Sequence, residues 1–363
     1  MQMHGFTQTA VAKRLDVSKE AVSQWLKDKS FPRPNKLLQL GRLLDLGFEE
    51  LVIKDEPNAP VVAFRKMKGT RTKDHHIEKA QEMGRFLGHL VPFLLFDNLE
   101  VAPVLKAPVC DYEYLQKVAQ KVRSDINVEP QATLSFRHLI RRFSELQAVV
   151  VPVLWGSKQR HENAVHIFLP ESGSTWVYLN LDTNVHDFKF WMAHELGHCL
   201  SPELTGTEEA EDFADAFAGS LLFPGAKAET AYSAITAKRS NKTRIACLID
   251  IARKELISPY TIYKQINSYA EYAGKEPLKL DKGFYAAITH FNKGYKNLSE
   301  VLFDNVEELT AKDFIQKSEE AFDTPFFEIL GRYLRETGKG AGFVHAILDM
   351  PLLDTRSIHS ELT

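Results

Sequence analysis

Two histidines, His194 and His198, stand four residues apart, and Glu195 directly follows the first, giving the run His194-Glu195-Leu196-Gly197-His198. On an α-helix, positions i and i+4 lie about 6 Å apart along the axis and roughly 40° apart around it. Both imidazoles then reach one point in space. That suits a zinc ion, which binds His nitrogen at about 2.0–2.1 Å in a near-tetrahedral shell. Glu195 sits beside that point without being a ligand. It can take the proton from a zinc-bound water, whose pKa falls to about 7. The chemistry on offer is hydrolysis with Glu195 as general base.

A hydrolytic zinc needs a third protein ligand and an open fourth position. The next segment supplies one. Pro202 and Gly206 end the first helix in a turn. Thr207 suits an N-cap, and Glu208 and Glu209 in the first turn suit the helix dipole. A second helix starting there runs back beside the first. Glu211 and Asp215 stand one turn apart on it and face one way. Glu211 fits the third ligand. Asp215 can accept the free N–H of a zinc-bound histidine and fix its tautomer. Phe213, Phe217 and Leu221 mark this helix as buried, where carboxylates without partners are costly.

HELGH followed by ExxADxFAxxLLxP closely resembles the ImmA/IrrE family of zinc peptidases. The matching residues are Glu211, Asp215, Phe217-Ala218 and Leu221-Leu222-Phe223-Pro224, with Phe223 where the family usually has Met. The resemblance implies His194, His198 and Glu211 as ligands of one Zn2+ per chain and Glu195 as general base. It also implies limited proteolysis of a protein substrate, a repressor or antitoxin, in stress response, mobile-element control or phage defence. The HExxHxxGxxH zinc class is excluded, because Ser201 and Leu204 occupy its Gly and His positions.

The chain has 363 residues, 44% hydrophobic and 26% charged, which places it among globular proteins with two or three domains. A net charge of −3 gives no global pull toward nucleic acid, so any such contact must come from a local patch. Cys110, Cys199 and Cys247 form neither a disulfide framework nor a CxxC site, and a reducing cytoplasm is expected. Cys199 adjoins His198 but points about 100° away from the ligand face, so it reads as packing. No apolar run is long enough to span a bilayer, and no signal peptide is expected.

The elements ahead of the zinc motif begin with Thr7 to Lys27, which reads as helix, sharp turn, helix. Val11, Leu15, Val22 and Trp25 supply its apolar faces, and Ala12 is small where the helices cross. Asp16 sits where the turn wants a left-handed residue, and Ser18 suits the second N-cap. This resembles the helix-turn-helix of the XRE (Cro/repressor-like) family. Leu37, Leu40, Leu43, Leu44, Phe48 and Leu51 continue the likeness as two short core helices. In such a motif the second helix enters the major groove. Ser18, Lys19, Glu20, Ser23, Gln24 and Lys27 are then the candidate DNA contacts. The family usually carries a full helix ahead of this point, whereas six residues precede Thr7. Its domains usually bind DNA as homodimers, and no dimer seam is legible here.

Lys54 to Ala63, with Pro57, Asn58 and Pro60, reads as a linker. Arg65, Lys66, Lys68, Arg71 and Lys73 form a basic stretch suited to phosphate contacts. Apolar residues recur at helical spacing from Ile77 to Phe96, from Asp111 to Ile126 and, behind Ser135, to Leu146. Three strands are expected at Val149–Leu154, Ala164–Leu169 and Thr175–Leu181, the first an edge or bulged strand because of Pro152. The stretch Trp176–Asn180, just ahead of the zinc helix, is expected to pair with an extended peptide substrate. Hydrolysis also calls for a donor to the oxyanion. Tyr178, His161, His166 and His186 lie in the right region, and the sequence does not choose among them. After Pro224 the pattern is helical again.

The expected fold class is α+β, mostly α: a helix-turn-helix head, a zincin-like peptidase domain with a small mixed sheet, and a helical C-terminal extension. The expected domains are residues 1–54 (DNA-binding head), 55–110 (linker and joining helices), 111–275 (ImmA/IrrE-like zinc peptidase) and 276–363 (extension, regulatory or partner-binding by elimination). The leading function is a site-specific zinc endopeptidase tethered to a DNA-binding domain. The alternative is an XRE-family transcriptional regulator or antitoxin whose zinc site is structural or sensory.

Overall fold

The computed structural model describes residues 6–27, 30, 32, 34–44, 59–64, 74–95, 104–156, 164–204, 207–304 and 308–363. The head begins with α1 (Gln8–Leu15) and α2 (Lys19–Leu26), followed by α3 (Pro34–Leu43). Thr7 caps α1 and Ser18 caps α2, each side chain accepting a backbone N–H of the first turn. Between them Asp16 takes the left-handed conformation, φ 49°, that the sharp turn requires. Val11, Ala12, Leu15 and Val22 form a small core, closed by Trp25, Leu40 and Leu43. Leu37, expected in that core, is 39% exposed on the first turns of α3. Phe48, Leu51 and the basic stretch from Arg65 to Lys73 lie outside the described residues.

The body is built on a four-stranded mixed sheet of β1 (Val61–Phe64), β2 (Val149–Val153), β3 (Ala164–Leu169) and β4 (Ser174–Asn180), in the order β1-β3-β4-β2. β2 runs parallel to β4, and the other pairs are antiparallel. Pro152 lies in the edge strand β2, where a missing N–H is tolerated. Two expectations are corrected. Val61 to Ala63, read as linker because prolines flank them, belong to β1 and pair with β3. β4 is interior and hydrogen-bonded on both sides, so Trp176–Asn180 has no free edge to offer a peptide.

Strand alternation gives the sheet two different faces. Ile167 and Trp176 are cross-strand partners, as are Val165 and Tyr178, so these four share one face. His166 and Val177 are partners on the other. Around the sheet run α4 (Asp74–Gly88), α5 (Tyr112–Asp125), α6 (Phe136–Glu145), α7 (Val185–Leu200), α8 (Glu208–Leu222), α9 (Gly225–Thr236), α10 (Asn241–Glu255) and α11 (Pro259–Tyr272). The chain ends in α12 (Gly283–Lys293), α13 (Leu298–Leu302), α14 (Ala311–Phe322), α15 (Phe326–Thr337), α16 (Ala341–Leu348) and α17 (Leu352–Leu362).

The helix α7 covers the His166 face, its His198 ring 5.7 Å from that of His166. The C-terminal helices cover the opposite face. Trp176 meets Phe326 edge to face at 6.5 Å, and the Tyr178 hydroxyl donates to the Ile347 carbonyl at 3.0 Å. The Trp155 indole donates to the Leu348 carbonyl at 2.9 Å. One apolar cluster runs from Ala80 to Ile358, so the segment after residue 276 is part of the body's core. The chain is thus α+β and mostly α, with a helix-turn-helix head and a small mixed sheet. Among the described residues no helix is long and apolar enough to cross a membrane.

Candidate metal centre

Two helices crossing closely make the site. Gly197 on α7 permits the approach: a Cβ there would lie 3.0 Å from Ala214 Cα and 3.2 Å from the Phe217 ring on α8. Thr207 caps α8, its hydroxyl accepting the Ala210 N–H at 3.2 Å. With the helices so close, residues one turn apart on each face one another. His194, Glu195 and His198 are all buried.

The His194 and His198 Nε2 atoms are 3.1 Å apart. Glu211 straddles them, Oε2 at 3.5 Å from His194 Nε2 and Oε1 at 3.4 Å from His198 Nε2. Three ligands at 2.0–2.1 Å around a tetrahedral ion would lie about 3.3 Å from each other. The observed triangle has that size, and the N,N,O donor set is one that zinc takes. Asp215 Oδ1 lies 3.0 Å from His194 Nδ1. A carboxylate only accepts, so Nδ1 carries the proton and Nε2 presents its lone pair to the centre. The sequence-expected ligands and the supporting Asp215 therefore come together in one place.

Charge follows the same logic. Burial raises the Glu211 carboxyl, but the His194 and His198 rings beside it outweigh that and bring it down to about 2. Burial disfavours a charged His194, yet its bonds to Asp215 and Glu211 raise it to about 9. His198 is lowered, mainly by burial. Burial raises the Glu195 carboxyl to about 8 against the pull of His194. The anionic Glu211 carboxylate favours a cation here, and the raised His194 reflects the same acidic surroundings: a metal ion would take the place of the second proton on its ring. Glu195 Oε2 and Glu211 Oε2 are buried without a hydrogen-bond partner, which is unusual unless a ligand or ion completes them.

The four residues left open as oxyanion donors separate clearly. Tyr178 is on the far face, its hydroxyl committed to Ile347. His186 lies on the first turn of α7, against Phe291 and Tyr295. His161 falls outside the described residues. His166 lies at the centre, buried, its pKa lowered to about 3 by burial and by His198. Cys199 is buried and burial pushes its thiol up, in keeping with packing.

A feature with no sequence signal lies behind α7. Lys189 donates to the Glu255 carbonyl at 2.6 Å, and Lys227 pairs with the Glu255 carboxylate at 2.5 Å. The buried Arg123 donates to the Leu221 carbonyl at 2.9 Å, at the end of α8. These bonds tie α5, α7, α8, α9 and α10 together behind the centre.

In the head, Lys19, Glu20 and Gln24 are exposed on α2, as is Lys27 just after it, and Ser23 is half-buried. The Ser18 hydroxyl is used by its own helix, accepting the Ala21 N–H at 3.0 Å. Residues 1–51 match the helix-turn-helix family model. No curated protein and no solved structure matches the chain. The head is an XRE-type helix-turn-helix and supplies the chain with a DNA-binding domain.

Proposed function

We propose that this chain is a zinc-dependent, site-specific endopeptidase carried on a DNA-binding head, and that it cleaves a regulatory protein such as a repressor or antitoxin. The observation that carries this reading is the convergence of His194, His198 and Glu211 within 4.8 Å, together with the buried Glu195, whose Oε2 has no hydrogen-bond partner. The resemblance to ImmA/IrrE peptidases over the same residues supports it, as does a three-ligand set, which leaves a coordination position for reactants.

His194, His198 and Glu211 would hold the ion, and Asp215 would orient His194. When bound, zinc supplies Lewis acidity and lowers the pKa of water to about 7. Glu195 then serves as the proton carrier. Burial above all raises its carboxyl, and a cation beside it would pull it back down, leaving it ionised to take a proton from the attacking water and pass it to the departing amide nitrogen. The DNA-binding head gives the protease a high effective concentration near a repressor bound to the same DNA.

Co-expression with neighbouring regulators tests this, with products read by mass spectrometry. The wild type cuts one of them at a fixed bond. Glu195→Gln keeps about one zinc per chain and loses cleavage. A Glu195→Gln chain that cleaves normally would remove the mechanism.

The family match of the head favours a second reading: an XRE-type regulator in which the metal holds or senses structure. In that case His194→Ala abolishes repression while Glu195→Gln, tested on the same promoter, spares it.

A further inference from the structure

His166 stands on β3, one residue from Ile167, whose side chain faces the opposite side of the sheet. Alternation therefore turns the His166 ring toward α7, where its ring centre lies 5.7 Å from that of His198. The residue is 1% exposed, and neither ring nitrogen has a hydrogen-bond partner. Leaving a buried polar group unpaired costs about 1–3 kcal/mol. An apolar residue would fill the same place without that cost.

Three of the unpartnered polar groups gather at this centre. Glu211 Oε2 and Glu195 Oε2 are accounted for by a metal and by the water whose proton Glu195 takes. His166 is accounted for by neither. Its nitrogens are not among the ligand atoms that converge within 4.8 Å, which are those of His194, His198 and Glu211 alone among the described residues. Its ring packs against that of His198, one of those three. An imidazole carries at least one N–H donor in either protonation state. A buried donor left unpaired beside the ligands is of the kind that can serve charge developing there during reaction.

We propose that His166 is a catalytic residue of this centre, its ring N–H donating to the carbonyl oxygen of the scissile peptide bond as that oxygen gains negative charge. The inference rests on the peptidase reading above. No bond to His166 forms or breaks. It contributes a hydrogen bond that is stronger in the transition state than in the bound substrate, which is what lowers a barrier.

The test uses the full chain and two variants. His166→Phe keeps a ring and removes the donor. His166→Gln keeps a donor on a shorter, open side chain. Zinc affinity is measured by chelator competition, and folding by thermal melting. The probe for the reacting geometry is a phosphoryl-leucyl-tryptophan dipeptide, whose tetrahedral phosphoryl oxygens imitate the charged oxygen. The expected result is that His166→Phe binds zinc within about threefold of wild type and melts no lower, yet loses about 10- to 100-fold in probe affinity. His166→Gln recovers most of that loss. Loss of zinc affinity beyond tenfold in His166→Phe would make His166 a ligand and overturn the inference. So would unchanged probe affinity, or a zinc-loaded wild type that ignores the probe. A wild type that takes up no zinc overturns the peptidase reading itself, so the two failures are distinguishable.

Discussion

Both ring nitrogens of His194 are engaged at the centre. Nε2 faces His198 and Glu211, and Nδ1 donates to Asp215 at 3.0 Å. Removing that outer carboxylate frees the ring to rotate and lowers its basicity. Such partners are typically worth 10- to 100-fold in metal affinity. Asp215→Ala is therefore expected to weaken zinc binding by about that factor in chelator competition, with helix content unchanged by circular dichroism. Unaltered affinity would show that Asp215 does not position His194. These residues were legible in the sequence because i, i+4 spacing puts each pair on one face of its helix, and the resemblance to ImmA/IrrE peptidases implies that the two faces meet. His166 was not, because alternation says which neighbours share its face but not which face meets α7. That depends on how the sheet packs, which no local pattern encodes.

At the scale of elements, the centre depends on how closely α7 and α8 approach. Gly197 is the contact point, against Ala214 and Phe217. A branched side chain there must push α8 outward, carrying Glu211 away from the two histidines. Overpacking of this kind costs about 1–3 kcal/mol. Gly197→Val is expected to lose that much in urea unfolding and to lose zinc affinity with it. A variant as stable and as tightly metallated as wild type would contradict this account of the crossing. The helices of the head and of the centre were readable from caps and spacing, as Thr7, Ser18 and Thr207 show. The strand β1 was not. Four residues behind a proline-rich stretch carry too little pattern to outweigh the turn signals, and their strand character comes from pairing with β3, more than 100 residues later. The interior place of β4 was hidden for the same reason.

At the scale of the whole molecule, the sheet is a partition. One face holds α7 and the His166 ring, and the other is closed by α15 and α16. The bonds from Trp155 to Leu348 and from Tyr178 to Ile347 span 193 and 169 residues. Sequence spacing cannot reveal contacts of that range, so residues 276–363 read as an appendage although they complete the core. The head has a separate small core of its own. The catalytic proposal thus belongs to the body, and its metal site rests on three side chains. Diffraction from crystals of the full chain grown with zinc, recorded at the zinc absorption edge, tests that most directly. The expected result is one anomalous peak within about 2.0–2.2 Å of His194 Nε2, His198 Nε2 and a Glu211 oxygen. A map with no peak there, or with Glu211 turned away from it, would contradict the account.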